Sequence, residues 1–285
     1  MTLSEKDLAF LKTYDDSQYE KLSATVDTCL YRYVWQKGTP AKIEILLVER
    51  KNSPYESTWA LPGGFCDIDE DLKTAAKREL FEETGLKACY YGQLHTYSAP
   101  NRDPRGRVLG TSYLAVLPKA SNSEPKAGDD AKKAKWFEVT CKRMPKGKNA
   151  YQIELALKND EEALSASIRI TRNTHGEWER EVVSSDGFAF DHAKMIALGT
   201  EALRQKAWQS DIVFNFLDEE FELFDLQRIF ETISQKELLR STFFTHIKPL
   251  IRLVDSNTEE ILTQKYRFND NFHFEDSSSM LELWQ

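Results

Sequence analysis

The chain has 285 residues, 41% apolar and 29% charged, which is ordinary for a globular protein with room for two domains. The net charge of −8 is uneven: residues 1–150 carry 24 Lys/Arg against 21 Asp/Glu, residues 151–285 carry 14 against 25. An acidic C-terminal half excludes broad nonspecific nucleic-acid binding but leaves room for a local basic stripe.

No run approaches 18 uninterrupted apolar residues, so no membrane span is expected. MTLSEKDLAFLKTYDD has neither a basic nor an apolar signal region, and a cytoplasmic location is the expectation. Cys29, Cys66, Cys89 and Cys141 are far apart and contain no CxxC pair, which fits buried free thiols rather than zinc or disulfides. His95, His175, His192 and His273 have no metal-ligand spacing.

Residues 1–24 read as an N-terminal extension. TVDTCLYRYV (25–34) and AKIEILLVER (41–50) read as strands joined by the turn QKGTP. A helix follows TWALPGG and stops at Gly85; KACYYGQLHTY and RVLGTSYLAVLP are two more strands, and AKKAKWFEV (131–139) ends in another. DHAKMIALGTEALRQKAWQ (191–209) places Ala193, Ile196, Ala197 and Leu203 on a helical period behind a capping Asp191. These elements predict an α+β core closed by a bridging helix, over residues 25–209.

Residues 210–285 form the second unit. ELFDLQRIFETI puts Leu226, Ile229, Phe230 and Ile233 on one helix face. After the turn SQKE, a helix capped by Ser241 turns Phe244 and Ile247 inward and is limited by Pro249. RLVDSNTEEILTQKYRF supplies two β-like runs, and helix, turn, helix, hairpin is the order of a winged helix-turn-helix. Apolar residues of the tail NDNFHFEDSSSMLELWQ are expected to dock on the fold.

The chemistry concentrates in GGFCDIDEDLKTAAKRELFEETGL. Glu79 and Glu82 are three residues apart and Glu79 and Glu83 four apart, so all three project from neighbouring helix positions. Carboxylates held together raise one another's pKa unless a cation joins them, and oxygen donors suit Mg2+ or Mn2+.

From Gly64, Glu70, Arg78, Glu79, Leu80, Glu82, Glu83, Gly85 and Leu86 resemble the Nudix hydrolase signature at every defined position. The resemblance implies a Nudix αβα sandwich that hydrolyses a nucleoside diphosphate joined to another moiety. By that resemblance Glu79, Glu82, Glu83 and the Gly63 carbonyl hold the metal, Glu70 supports them, and Arg78 orients and neutralises them. The general base is either Glu79, through metal-bound water, or a loop carboxylate near Glu124, Asp129 and Asp130. Arg102, Arg105 and Arg107 in YSAPNRDPRGRV suit phosphate oxygens. That loop is similar to those of ADP-ribose pyrophosphatases and of Nudix-related transcriptional regulators of NAD metabolism.

The main expectation is therefore a metal-dependent hydrolase of ADP-ribose or a related nucleoside diphosphate sugar. The alternative is a homodimeric regulator that senses such a ligand and binds double-stranded DNA with little or no hydrolysis. Arg240, Thr242, Thr245, His246, Lys248 and Arg252 are its candidate DNA contacts. Against it, residues 222–268 hold seven basic and seven acidic side chains and are neutral overall.

Overall fold

The computed structural model describes residues 3–121, 124–128, 131–255 and 264–272. Asp129, Asp130 and the tail from His273 onward lie outside the described residues. The chain opens with helix α1 (Glu5–Thr13), whose start is a capping box between Ser4 and Asp7 and which buries no residue.

Strand β1 (Ser23–Val34) is the spine of the first unit. It pairs antiparallel with β2 (Lys42–Arg50) and with β4 (Gly63–Phe65), while β3 (Trp59–Ala60) pairs with β2. The carboxylate helix α2 (Leu72–Thr84) starts on the Asp71 side chain, which accepts from Thr74 N–H. It ends at Gly85 with φ 70, a left-handed cap that favours glycine. Next come β5 (Tyr90–Tyr97) and β6 (Val108–Val116), and β6 runs parallel to β1.

Alternation along β1 sorts its side chains between two layers. Val26 and Leu30 face α2 and pack with Ala75, Ala76 and Leu80. Cys29, Tyr31 and Tyr33 face the opposite core, with α3 (His192–Gln209). Helix, sheet and helix give the expected αβα sandwich, and Ala193, Ile196, Ala197 and Leu203 are all buried.

The sequence reading names no element between residues 140 and 190, where the structure has a long antiparallel extension. β7 (Ala131–Pro145) continues into β8 (Ala150–Lys158), β9 (Ala163–Arg172) and β10 (Trp178–Asp186). The order is β10-β9-β8-β7-β2-β1-β6-β5. β8 and β9 bury Ile153, Leu155, Leu157, Ile168 and Ile170 in the core that α3 covers.

The C-terminal unit matches the winged-helix order. β11 (Phe221–Glu222), β12 (Ile251–Asp255) and β13 (Lys265–Phe268) form a three-stranded sheet beside α4 (Leu223–Ser234) and α5 (Arg240–Ile247). Leu226, Ile229, Phe230 and Ile233 are buried as their spacing requires. On α5 Phe243 and Ile247 are buried, while Phe244 is half-buried and packs at the edge of the same core. The helix begins two residues earlier than expected, with Leu239 at the N-cap, so Ser241 lies inside it and caps nothing. Two cysteines also depart from expectation: Cys29 and Cys141 are buried, but Cys89 is exposed and Cys66 partly so. Among the described residues no helix is long and apolar enough to cross a membrane.

Candidate functional site

A cavity of about 450 Å³ opens where β1, β4, α2, the Arg102–Arg105 loop and the start of α3 meet. Its wall brings Gly63, Gly64, Arg78, Glu79 and Glu83 together with Arg102 and Arg105. Gly63 lies so close to β1 that a Cβ there would meet the Val26 carbonyl oxygen at 2.1 Å, which holds the backbone of β4 against the wall.

Arg78 is the hub of the acidic helix. Its Nε and Nη2 donate to both oxygens of Glu70, and Nη2 also donates to the Phe65 carbonyl. Its Nη1 donates to Glu79 at 2.8 Å and to Glu82 at 3.0 Å. Glu83 instead accepts the Gly63 backbone N–H at 3.0 Å. Arg78 is thus hydrogen-bonded to Glu70, Glu79 and Glu82 but not to Glu83. These hydrogen bonds hold the Glu70 carboxyl below its ordinary range. Burial pushes that of Glu79 up, with Arg78 partly offsetting it.

The oxygen donors have the right chemistry for a hard divalent ion, but their arrangement does not fit one. The cation shared by Glu70, Glu79 and Glu82 is the Arg78 guanidinium, and Glu83 turns to a backbone donor. Among the described residues no three His, Cys, Asp or Glu side chains converge in metal-holding geometry. Glu124 is exposed and 3.5 Å from Arg32.

The three loop arginines have separate fates. Arg102 is buried and gives a fork to Asp191, Nε to Oδ2 at 3.1 Å and Nη2 to Oδ1 at 2.8 Å. Arg105 pairs with Asp103 and lies over the rings of Phe65 and Phe190, at 5.1 and 5.4 Å. Arg107 donates to the Ser98 carbonyl and does not line the cavity. Phe190 is held at φ 48, a left-handed conformation that costs a non-glycine residue about 1–2 kcal/mol. That bend sets its ring against Tyr55 and precedes Asp191 at the start of α3. Asp191 holds the N-cap position, but its side chain goes to Arg102 and makes no capping bond.

Sequence reasoning missed Asp27, Phe190 and His192. A lone aspartate inside the apolar strand TVDTCLYRYV was the available signal for the first. His192 is buried and its Nδ1 accepts the Leu61 N–H at 2.9 Å, so Nε2 carries the proton and faces Asp27 Oδ1 at 3.4 Å. Desolvation holds this imidazole below its ordinary pKa of 6.5 despite Asp27 and Asp191 nearby. Between that folded value and 6.5 only the unfolded ring takes up a proton, so the contribution of His192 to stability falls as pH drops, while that of Asp27, whose pKa burial raises, changes the other way at lower pH. The slope is at most about 1.4 kcal/mol per pH unit. Denaturant titrations from pH 5 to 7.5 should show this loss, and His192→Asn, which keeps an acceptor for Leu61, should flatten it.

The candidate DNA contacts also divide. Arg240, Thr242, Thr245 and Lys248 are exposed on or beside α5. His246 shares its Nδ1 with the Thr242 carbonyl of its own helix. Arg252 pairs with Asp270, and Arg267 on the hairpin pairs with Glu219 and Glu220. The hairpin arginines are thus neutralised by acids flanking the sheet, and α5 itself carries no acid.

An αβα sandwich carrying an acidic signature helix is joined here to a winged-helix-like region. The NUDIX domain model matches residues 34–152, and the chain belongs to the Nudix family, with a C-terminal winged-helix-like region. An ADP-ribose pyrophosphatase of Methanocaldococcus jannaschii is 44% identical over 96 residues, 34% of this chain and 55% of that enzyme. The ADPR responsive transcriptional repressor NtrR of Acinetobacter baylyi is 27% identical over 82% of this chain and 76% of its own. The crystal structure of a MutT/nudix family protein from Enterococcus faecalis is similar over 94% of both chains, with a TM-score of 0.72 and 26% identity.

Proposed function

We propose that the protein is a DNA-binding transcriptional regulator, acting as a homodimer, whose Nudix unit senses ADP-ribose or a related nucleoside diphosphate sugar. The units are residues 25–209 for sensing and 210–285 for DNA, with 1–24 as an extension. One observation carries the reading: α3 runs from the cavity to the winged helix. Its first turn is tied to the cavity through Arg102 and Asp191. Near its other end Arg204 donates to the Ile233 carbonyl of α4, and the Trp208 ring lies 4.8 Å from Phe230. A ligand that shifts Arg102 therefore shifts the support of the helix-turn-helix, which is how binding at one site is coupled to another.

The similarity to the repressor supports this reading, since it spans 82% of the chain and so includes the second unit. The similarity to the pyrophosphatase spans 34%. DNA contact falls to α5, through Arg240, Thr242, Thr245 and Lys248, because Arg252 and Arg267 are spent on acids. Hydrolysis is the second reading, favoured by Glu79 and Glu83 lining the same cavity. No step is assigned to it, since the carboxylates are engaged by Arg78 and the Gly63 N–H.

The test pairs two assays on the full chain. ADP-ribose is expected to weaken binding to the protein's own upstream DNA by about 5- to 150-fold, with little AMP formed in the presence of Mg2+ over the same period. Rapid AMP release without DNA binding would replace the regulator with the hydrolase.

A further inference from the structure

Asp27 is a buried carboxylate that the signature chemistry does not use. It is 6% exposed and lies on β1, outside the segment matched by the family model, yet it lines the cavity. Its Oδ1 faces His192 Nε2–H, whereas its Oδ2 accepts no hydrogen bond from the described residues. The nearest cation to that oxygen is Arg102 Nη2, at 4.0 Å, which is already forked to Asp191. A buried acceptor without a donor is costly, so a ligand that supplies one is favoured there.

The surroundings restrict the donor. A fully ionised phosphate brings no hydrogen to an oxygen that lacks a donor. An ammonium is disfavoured by Arg102 beside it, with Arg105 and Arg50 also on the cavity wall. A neutral hydroxyl satisfies both constraints. The opposite wall, where Arg105 lies over Phe65 and Phe190, suits an anionic group beside an aromatic surface.

We propose that Asp27 is the specificity-determining residue that accepts a hydrogen bond from a sugar hydroxyl, orienting a nucleoside diphosphate sugar with its phosphates toward Arg105. This rests on the sensing reading above and names how the pocket distinguishes a sugar-bearing diphosphate from a bare one. The contact also reaches the helix that supports the DNA-binding unit, because the other oxygen of Asp27 faces His192 in the first turn of α3.

The test is calorimetric titration of the full chain with ADP-ribose, UDP-glucose and inorganic pyrophosphate, in the wild type, Asp27→Asn and Asp27→Ala. Asparagine keeps the side-chain size and an oxygen for His192, and melting curves confirm that each variant is folded. Where the wild type binds ADP-ribose, both variants are expected to bind the sugar-bearing ligands at least ten-fold more weakly, with pyrophosphate unchanged or tighter. Equal weakening for pyrophosphate, or none for the sugar ligands, overturns the role of Asp27 and leaves the sensing reading intact. A wild type that binds neither sugar nucleotide overturns the sensing reading, and this proposal with it.

Discussion

Phe230→Ala is expected to destabilise the protein by about 3–5 kcal/mol, the cost of removing a phenylalanine from a closed core. Phe230 is 1% exposed, with the Trp208 ring at 4.8 Å and the Phe243 ring at 5.5 Å. Those neighbours come from α3 and α5, so the vacated volume is bounded by three helices and cannot be filled by moving one side chain. Folded domains have only about 5–15 kcal/mol in hand, so the winged-helix region should melt well before the sandwich. Calorimetric thermal unfolding, which resolves an early transition of one region, reports this. Leu239→Ala is the control: that side chain is 77% exposed, and its loss should stay within about 0.5 kcal/mol. Similar melting for the two variants would mean that α4 is not anchored through this aromatic contact.

The contrast between those two leucine and phenylalanine positions also shows what a sequence conveys. Helical spacing marks Phe230 as buried, because a face is a local property of the chain. The acidic helix was legible for the same reason: its carboxylates, its Arg78 hub and its Gly85 stop lie within 23 positions. Phe243 on α5 went unnamed because two phenylalanines are adjacent and either could begin the apolar stripe. β10 gave no signal because WEREVVSSD is exposed along its whole length, so no alternation marks a buried face. β9 mixes small polar residues with its apolar ones, which blurs the period.

The cavity was only half legible. Its acidic wall is one segment, but Asp27, Arg102 and Asp191 meet from across more than 160 positions. An arginine between prolines and a glycine reads as a phosphate ligand. Nothing local announces that the acid it meets is Asp191, nor that a buried His192 will turn its Nδ1 to a backbone donor in Leu61.

That long-range fork is the second place where a large effect is expected. Arg102→Leu should cost about 3–5 kcal/mol, because it leaves Asp191 without its guanidinium partner and Asp27 without its neighbouring cation, in a site where all three are largely buried. Adding Asp191→Leu should recover most of that loss, since an apolar pair of similar volume is often as stable as the ion pair it replaces. Function should not recover with it. The double variant keeps α3 packed through Met195, Ile196 and Leu203, and so keeps the winged-helix unit. It has lost the Arg102–Asp191 link, the proposed route from a ligand in the cavity to the first turn of α3. DNA binding by the double variant should therefore persist and become insensitive to ADP-ribose, which a gel-shift titration alongside a denaturation curve would show. Wild-type release by ADP-ribose in a stably folded double variant would mean that the signal leaves the cavity by another route, with Asp27 and His192 the remaining contact to α3.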